Sequence, residues 1–137
     1  MDSRRTLGAQ GEEEAARYLA AAGYDDVTIA QGRVLARVDA KGTRLSDLAE
    51  RARVTRQTAT FMVDHLERAG YVRRVPDPTD ARARLVVFAE RGLAAQEVAR
   101  RTEAVVQEEW TRHLGRRATA RLHELLSRLR EITDPYR

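Results

Sequence analysis

Apolar residues in the middle of the chain recur at helical spacing. Ala59, Met62, Val63, Leu66 and Gly70 fall within about a third of a wheel turned 100° per residue. Thr55 can cap this helix and Gly70 can close it in the left-handed conformation, which predicts a span ending near Ala69. Just upstream, Ser46 can accept an orphan amide for a shorter helix over about Asp47 to Arg53 that carries Leu48 and Ala49, with Val54 as an apolar plug. After Gly70 the pattern changes. Tyr71 to Val75 and Arg84 to Phe88 are rich in β-branched and aromatic residues, and the intervening PDPTDARA is made of turn formers. A two-stranded hairpin with a loop of about eight residues is expected, and a very short strand around Arg44 could pair with it. Two helices at a tight turn followed by a hairpin are the order of a winged helix-turn-helix.

The outer segments read as helices. One runs from Thr6 to about Ala22 with Leu7 and Leu19 as anchors, although Gly8 and Gly11 weaken its first turns. Gly23 and Asp25-Asp26 break it. Thr28 can then cap a helix containing Ile29, Val34, Leu35 and Val38 that ends near Lys41-Gly42. A long helix is expected from Glu90 to about Leu114, interrupted at Gly115, and a last one from Arg116 to Ile132. On the last helix Ala118, Leu122, Leu125, Leu129 and Ile132, with Leu126 beside them, form an apolar stripe that must be covered. It can pack on the helices at Leu7 to Leu19 and Leu93 to Trp110, or on a second copy of the chain. The expected fold is mainly α with a small β-hairpin wing in a single domain over 1–137. Residues 28–92 form the winged lobe, and 1–22 and 93–137 a helical dimerisation region.

Chemistry enters on the polar side of the Thr55–Gly70 helix. Gln57, Thr60, Phe61, Asp64 and Arg68 face away from the apolar stripe, flanked by Arg56, Thr58 and His65. Gln, Thr, Arg and Asp side chains find hydrogen-bond partners on base edges in a major groove, while the plain alternative is a solvated helix face. The hairpin shifts the balance toward DNA. Arg73, Arg74, Arg82 and Arg84 lie on it or at its tip, and such an arm can follow a phosphate backbone or enter a minor groove. From Arg51 to Arg84 eight arginines face four carboxylates, which accounts for the chain's whole formal charge of +4. Starting that window at Leu45 adds Asp47 and Glu50 and halves the excess, so the sign carries the argument and the size does not. Arginine outnumbers lysine 24 to 1, a bias of the GC-rich kind that discounts arginine content by itself. Phe61 has two readings: a ring that packs on a thymine methyl, or one folded back onto Ala and Arg stems.

These residues carry a resemblance to the MarR family of bacterial transcription regulators, from about Val27 through Ile132. Its most specific parts are LAER, VTRQTAT, LERAGYVRR and DPTDAR. The resemblance implies that Asp80 holds Arg82 at the wing and that Arg82 reaches DNA, and it places Leu66 and Gly70 in the motif's core. It further implies interlocked termini in a two-fold dimer, with Leu7, Leu19, Leu122, Leu125, Leu126, Leu129 and Ile132 in the contact. Two recognition helices would then stand about one DNA turn apart over a pseudo-palindrome. A small aromatic or anionic effector would bind between the dimerisation helices and the lobe, where Tyr18, Arg33, Arg37 and Trp110 could line its site, although ordinary packing or surface is the commoner role for each. The chain departs from the family pattern at Phe61 and His65, where arginine is frequent, at Ala81, where a second basic wing residue is common, and at Ala89, which replaces a capping threonine. That dilution of charge motivates the alternative of a winged-helix protein-interaction module with weak or no DNA binding.

The remaining composition narrows the classes. An apolar content of 42% supports a core, whereas 5% aromatic and 34% charged residues suit long exposed helices. No run approaches the roughly 20 apolar residues of a membrane span and no basic-then-apolar leader opens the sequence, so a cytoplasmic location is expected. The absence of cysteine excludes disulfides and thiolate switching. His65, His113 and His123 lack ligand spacing, Glu12-Glu13-Glu14 reads as a solvated face, and neither a nucleophile elbow nor a phosphate loop is present. No metal, no cofactor and no enzymatic activity are expected.

Overall fold

The computed structural model describes residues 13–133, so Leu7 and the start of the helix expected from Thr6 lie outside the described residues. The chain forms two compact units divided between Ala99 and Arg100. The first contains α1 (residues 13–21), α2 (Ile29–Ala36), β1 (Thr43–Arg44), α3 (Leu45–Ala52), α4 (Arg56–Arg68), β2 (Val72–Asp77), β3 (Asp80–Phe88) and the start of α5 (Glu90–Leu114). The second holds the remainder of α5 and α6 (Arg116–Thr133).

Local chemistry sets several boundaries where the pattern puts them. Thr28 accepts from the Gln31 amide while the Gln31 side chain accepts from the Thr28 amide, a reciprocal capping box at the start of α2. Thr55 caps α4 through the Thr58 amide, and Gly70 beyond its end has φ 86°. Gly115, at φ 85°, separates α5 from α6.

Two boundaries differ. α2 stops at Ala36 rather than near Lys41, because residues 39–43 form a turn in which the Asp39 amide donates to Thr43 Oγ1 at 2.8 Å. Gly42 takes φ 96° there, and a Cβ would lie 2.8 Å from Val87 Cγ1, so only glycine lets the chain pass this close to β3. Val38, expected within the helix stripe, is buried just after the helix instead. α3 begins at Leu45, ahead of Ser46, and no side chain caps it. It ends at Arg53, which adopts φ 56° and ψ 45°, a left-handed conformation that costs a non-glycine residue about 1 kcal/mol.

The sheet is antiparallel with order β1-β3-β2. β1 pairs Thr43 with Val86 and Arg44 with Leu85, as a short strand at Arg44 should. The loop expected between the long strands is mostly strand. β2 and β3 continue to a two-residue turn at Pro78-Thr79, and the register shifts between Pro76 and Asp77. Pro76 is compatible with a strand because β2 is an edge, where a missing amide breaks no ladder.

The core of the first unit joins Val34, Val38, Leu48, Val63, Leu66, Tyr71, Val72, Val86 and Ala95, with Leu19 and Met62 packed against it. Each fully buried aliphatic side chain contributes about 1.5–3 kcal/mol. Leu19 therefore packs on its own chain's core. At Gly92 an added Cβ would sit 2.0 Å from the Tyr71 carbonyl oxygen, so α5 starts against the backbone that links α4 to β2.

In the second unit Thr119 is buried and donates to the Gly115 carbonyl at 2.8 Å, while Gln107 Nε2 meets His123 Nε2. Leu125, Leu126 and Leu129 are exposed and Ile132 is 83% exposed, so most of the apolar stripe of α6 is uncovered. Among the described residues no helix is long and apolar enough to cross a membrane.

Candidate nucleic-acid interface

The face of α4 opposite the core carries the expected side chains. Ala59, Val63 and Leu66 are inaccessible, while Arg56, Gln57, Phe61, Asp64 and Arg68 are exposed. Thr58, Thr60 and His65 are half-buried and already bonded. Thr58 accepts from the Thr55 hydroxyl at 2.9 Å, Thr60 donates to the Arg56 carbonyl at 2.9 Å, and His65 Nε2 lies 3.2 Å from the Asp26 carbonyl. The Phe61 ring is 69% exposed, which removes the reading in which it folds back onto neighbouring stems.

Arg74 is not the free cation expected on the hairpin. Its side chain is 18% exposed, with Nη1 2.8 Å from Glu67 Oε1 and Nη2 2.5 Å from Asp64 Oδ1. Its backbone amide also donates to Glu67 Oε2 at 2.9 Å. Three bonds thus pin β2 to α4, and they occupy Asp64 as well. The reason is local placement: the end of α4 and the start of β2 lie on the two sides of the turn at Gly70, which brings Glu67 beside Arg74.

At the wing, Asp80 holds the Arg82 backbone rather than its guanidinium. Asp80 Oδ1 accepts from the Arg82 amide at 3.0 Å. Ala81, Arg82 and Ala83 fall between Asp80 and Arg84, the last paired positions of β3, so this amide is outside the regular ladder and a carboxylate two residues away can take it. The Arg82 guanidinium is left exposed, with no bonded partner among the described residues. Arg84 stands opposite Pro76 and shares a sheet face with Arg74 and Val86. Arg73, opposite Val87, is on the other face, so the four arginines do not form one row.

A clamp unseen in the sequence fixes the base of the wing. Arg44 Nε and Nη2 lie 2.9 and 2.8 Å from Asp77 Oδ2, and Asp77 Oδ1 accepts from the Thr79 amide at 2.8 Å and hydroxyl at 2.7 Å. The Thr79 bonds, with the Arg44 guanidinium, lower the Asp77 carboxyl to about 2. Asp77 therefore shapes the two-residue turn and ties it to β1. A second unforeseen cluster lies where α4 meets α5. Arg91 stacks 4.5 Å from the Tyr71 ring centroid, and its Nη1 is 2.6 Å from Asp26 Oδ2 and 3.0 Å from the Ala69 carbonyl. The Tyr71 hydroxyl donates to Asp26 Oδ1. Arg91 and this hydroxyl hold the Asp26 carboxyl below its ordinary range, and burial with the Asp26 contact pushes the Tyr71 hydroxyl up.

Tyr18, Arg33 and Arg37 belong to the first unit and Trp110 to the second, and all four are exposed. Neither the cleft of about 560 Å³ beside Gln107 and Arg112 nor that of about 350 Å³ beside Lys41 and Arg44 is lined by any of them.

Residues 27–83 match the model of the MarR family. Over 59 residues the chain is 41% identical to transcriptional activatory protein BadR of Rhodopseudomonas palustris, a match covering 43% of this chain and 34% of that protein. The chain thus spans about a third of the length of this curated relative. Wild-type MarR of E. coli, in its apo form, superposes with a TM-score of 0.71 at 25% identity, covering 94% of this chain and 96% of that one. A MarR mutant from E. coli complexed with operator DNA superposes with a TM-score of 0.67 at 26% identity, covering 91% of this chain and 89% of that one. Residues 27–83 thus carry a MarR-family helix-turn-helix and wing, in a chain whose fold is similar to that of MarR from E. coli.

Proposed function

We propose that this protein is a sequence-specific, double-stranded-DNA-binding transcriptional regulator that acts as a homodimer on a pseudo-palindromic operator. One observation carries the reading: the Arg74 clamp joins an exposed α4 face to a wing on which the Arg82 guanidinium is exposed and unbonded among the described residues, so helix and arm are presented together. An α-helix fits the major groove, and a guanidinium arm beside it can engage phosphates or the adjoining minor groove. The uncovered leucines of α6 and Ile132 support a second copy, whose symmetry would place two reading heads along the duplex. Operator position then decides whether binding lowers or raises transcription, and the related BadR is named an activatory protein.

A gel shift against the chain's own upstream DNA at two salt concentrations tests this. A regulator gives a specific complex that weakens steeply with salt, through release of condensed counterions. A winged-helix module devoted to protein partners gives none. Sedimentation should show a species of twice 15.5 kDa, and a species of 15.5 kDa alone would remove the dimer.

A further inference from the structure

The bonding on α4 divides the side chains of its exposed face into two groups. Thr58, Thr60, Asp64 and His65 are engaged by Thr55, the Arg56 carbonyl, Arg74 and the Asp26 carbonyl. In the first two turns, Arg56, Gln57 and Phe61 project with side chains unbonded among the described residues. Gln57 and Phe61 are four residues apart, about 6 Å along the axis, and lie side by side on one face.

The surroundings of Phe61 argue for a nucleic-acid partner. Its neighbours three and four residues away, Gln57, Thr58, Asp64 and His65, are all polar, so the ring stands alone rather than within an apolar patch suited to a protein. Arg56 and Arg68 are exposed on the same helix and Arg82 and Arg84 on the wing, which favours a polyanion. On the edge of a major groove the apolar group open to a phenyl ring is the C5 methyl of thymine, and a glutamine carboxamide pairs in bidentate fashion with adenine N6 and N7.

We propose that Phe61 is a specificity-determining residue that selects one thymine in each half-site by its methyl group, with Gln57 reading an adenine within a step or two of it. The inference rests on the DNA-binding function proposed above. Asp64 and His65 contribute no base readout in this assignment, since both are committed within the protein.

The test starts from a random duplex pool enriched on the full chain. Each thymine of the enriched half-site is then replaced singly by deoxyuridine, which removes the methyl and leaves base pairing intact. One position should weaken binding about fourfold per half-site, the factor expected for one buried methyl. The Phe61→Ala protein should bind thymine and deoxyuridine duplexes equally, at the level of the unaltered protein on deoxyuridine. Equal binding of every deoxyuridine duplex by the unaltered protein overturns the assignment, as does a Phe61→Ala protein that still discriminates. If no sequence enriches, the DNA-binding function itself fails; enrichment without methyl dependence removes only the role of Phe61.

Discussion

Arg74 and Arg82 are close in sequence and identical in charge, yet the structure requires opposite signatures when each becomes alanine. Arg74→Ala removes a side chain that is 18% exposed and ion-paired to Asp64 and Glu67, whose own side chains are 49% and 39% exposed. A hydrogen bond to a charged group contributes about 1.5–3 kcal/mol when buried, and the half-exposed partners reduce the pair to about 1–2 kcal/mol in total. For a chain of this size that is a fall in melting temperature of roughly 3–8 °C. Its guanidinium is already neutralised, so the slope of log affinity against log salt should be unchanged. Arg82→Ala removes an exposed guanidinium with no bonded partner among the described residues, so the melting temperature should hold. Its loss should flatten the salt slope by about 0.9 per phosphate, or about 1.8 for two arms. At about 1 kcal/mol per arm the affinity drops about 30-fold. Thermal unfolding, with fluorescence anisotropy on an enriched duplex between about 50 and 200 mM salt, separates the two. A flattened slope with unaltered melting for Arg74→Ala would refute the clamp, and a lowered melting temperature for Arg82→Ala would refute the free arm.

Three further outcomes are expected. Gly92→Ala should destabilise by about 1–3 kcal/mol in denaturant titration, because the new methyl meets the Tyr71 carbonyl, and unchanged stability would contradict the close approach of α5. Asp77 has a folded-state carboxyl lowered from 3.8 to about 2, so the stability it supplies is complete above about pH 4 and lost as pH falls toward 2. Asp77→Asn should therefore be less stable near neutrality and show a shallower decline over that acid range; parallel curves would exclude its contribution. Leu129→Asp, on the uncovered stripe of α6, should shift sedimentation toward the 15.5 kDa species while leaving the helical circular dichroism intact.

The legible part of the fold was encoded over short spans. Thr28 with Gln31, Thr55 with Thr58, and the glycines at 70 and 115 act within a turn of their partners, so spacing exposes them. Gln57, Phe61 and Arg82 were legible as exposed polar or aromatic positions opposite a core stripe. What could not be read depended on groups far apart in sequence. Arg44 meets Asp77 across 33 residues and Arg91 meets Asp26 across 65, and these contacts convert an expected eight-residue loop into strand and fix the entry to α5. Arg74 lay between the two cases. Glu67 is only seven residues away, but nothing in the hairpin pattern showed which arginine would turn inward.

The pinning of β2 to α4 has a consequence for operators themselves. In the proposed DNA-bound state, the Arg74 bonds would set the offset within one half-site between the bases under the helix and the groove entered by the arm, as a built-in ruler. Natural sites for such a protein should hold that internal offset constant from promoter to promoter, while the number of base pairs between half-sites is free to vary only as far as the pairing of two subunits allows.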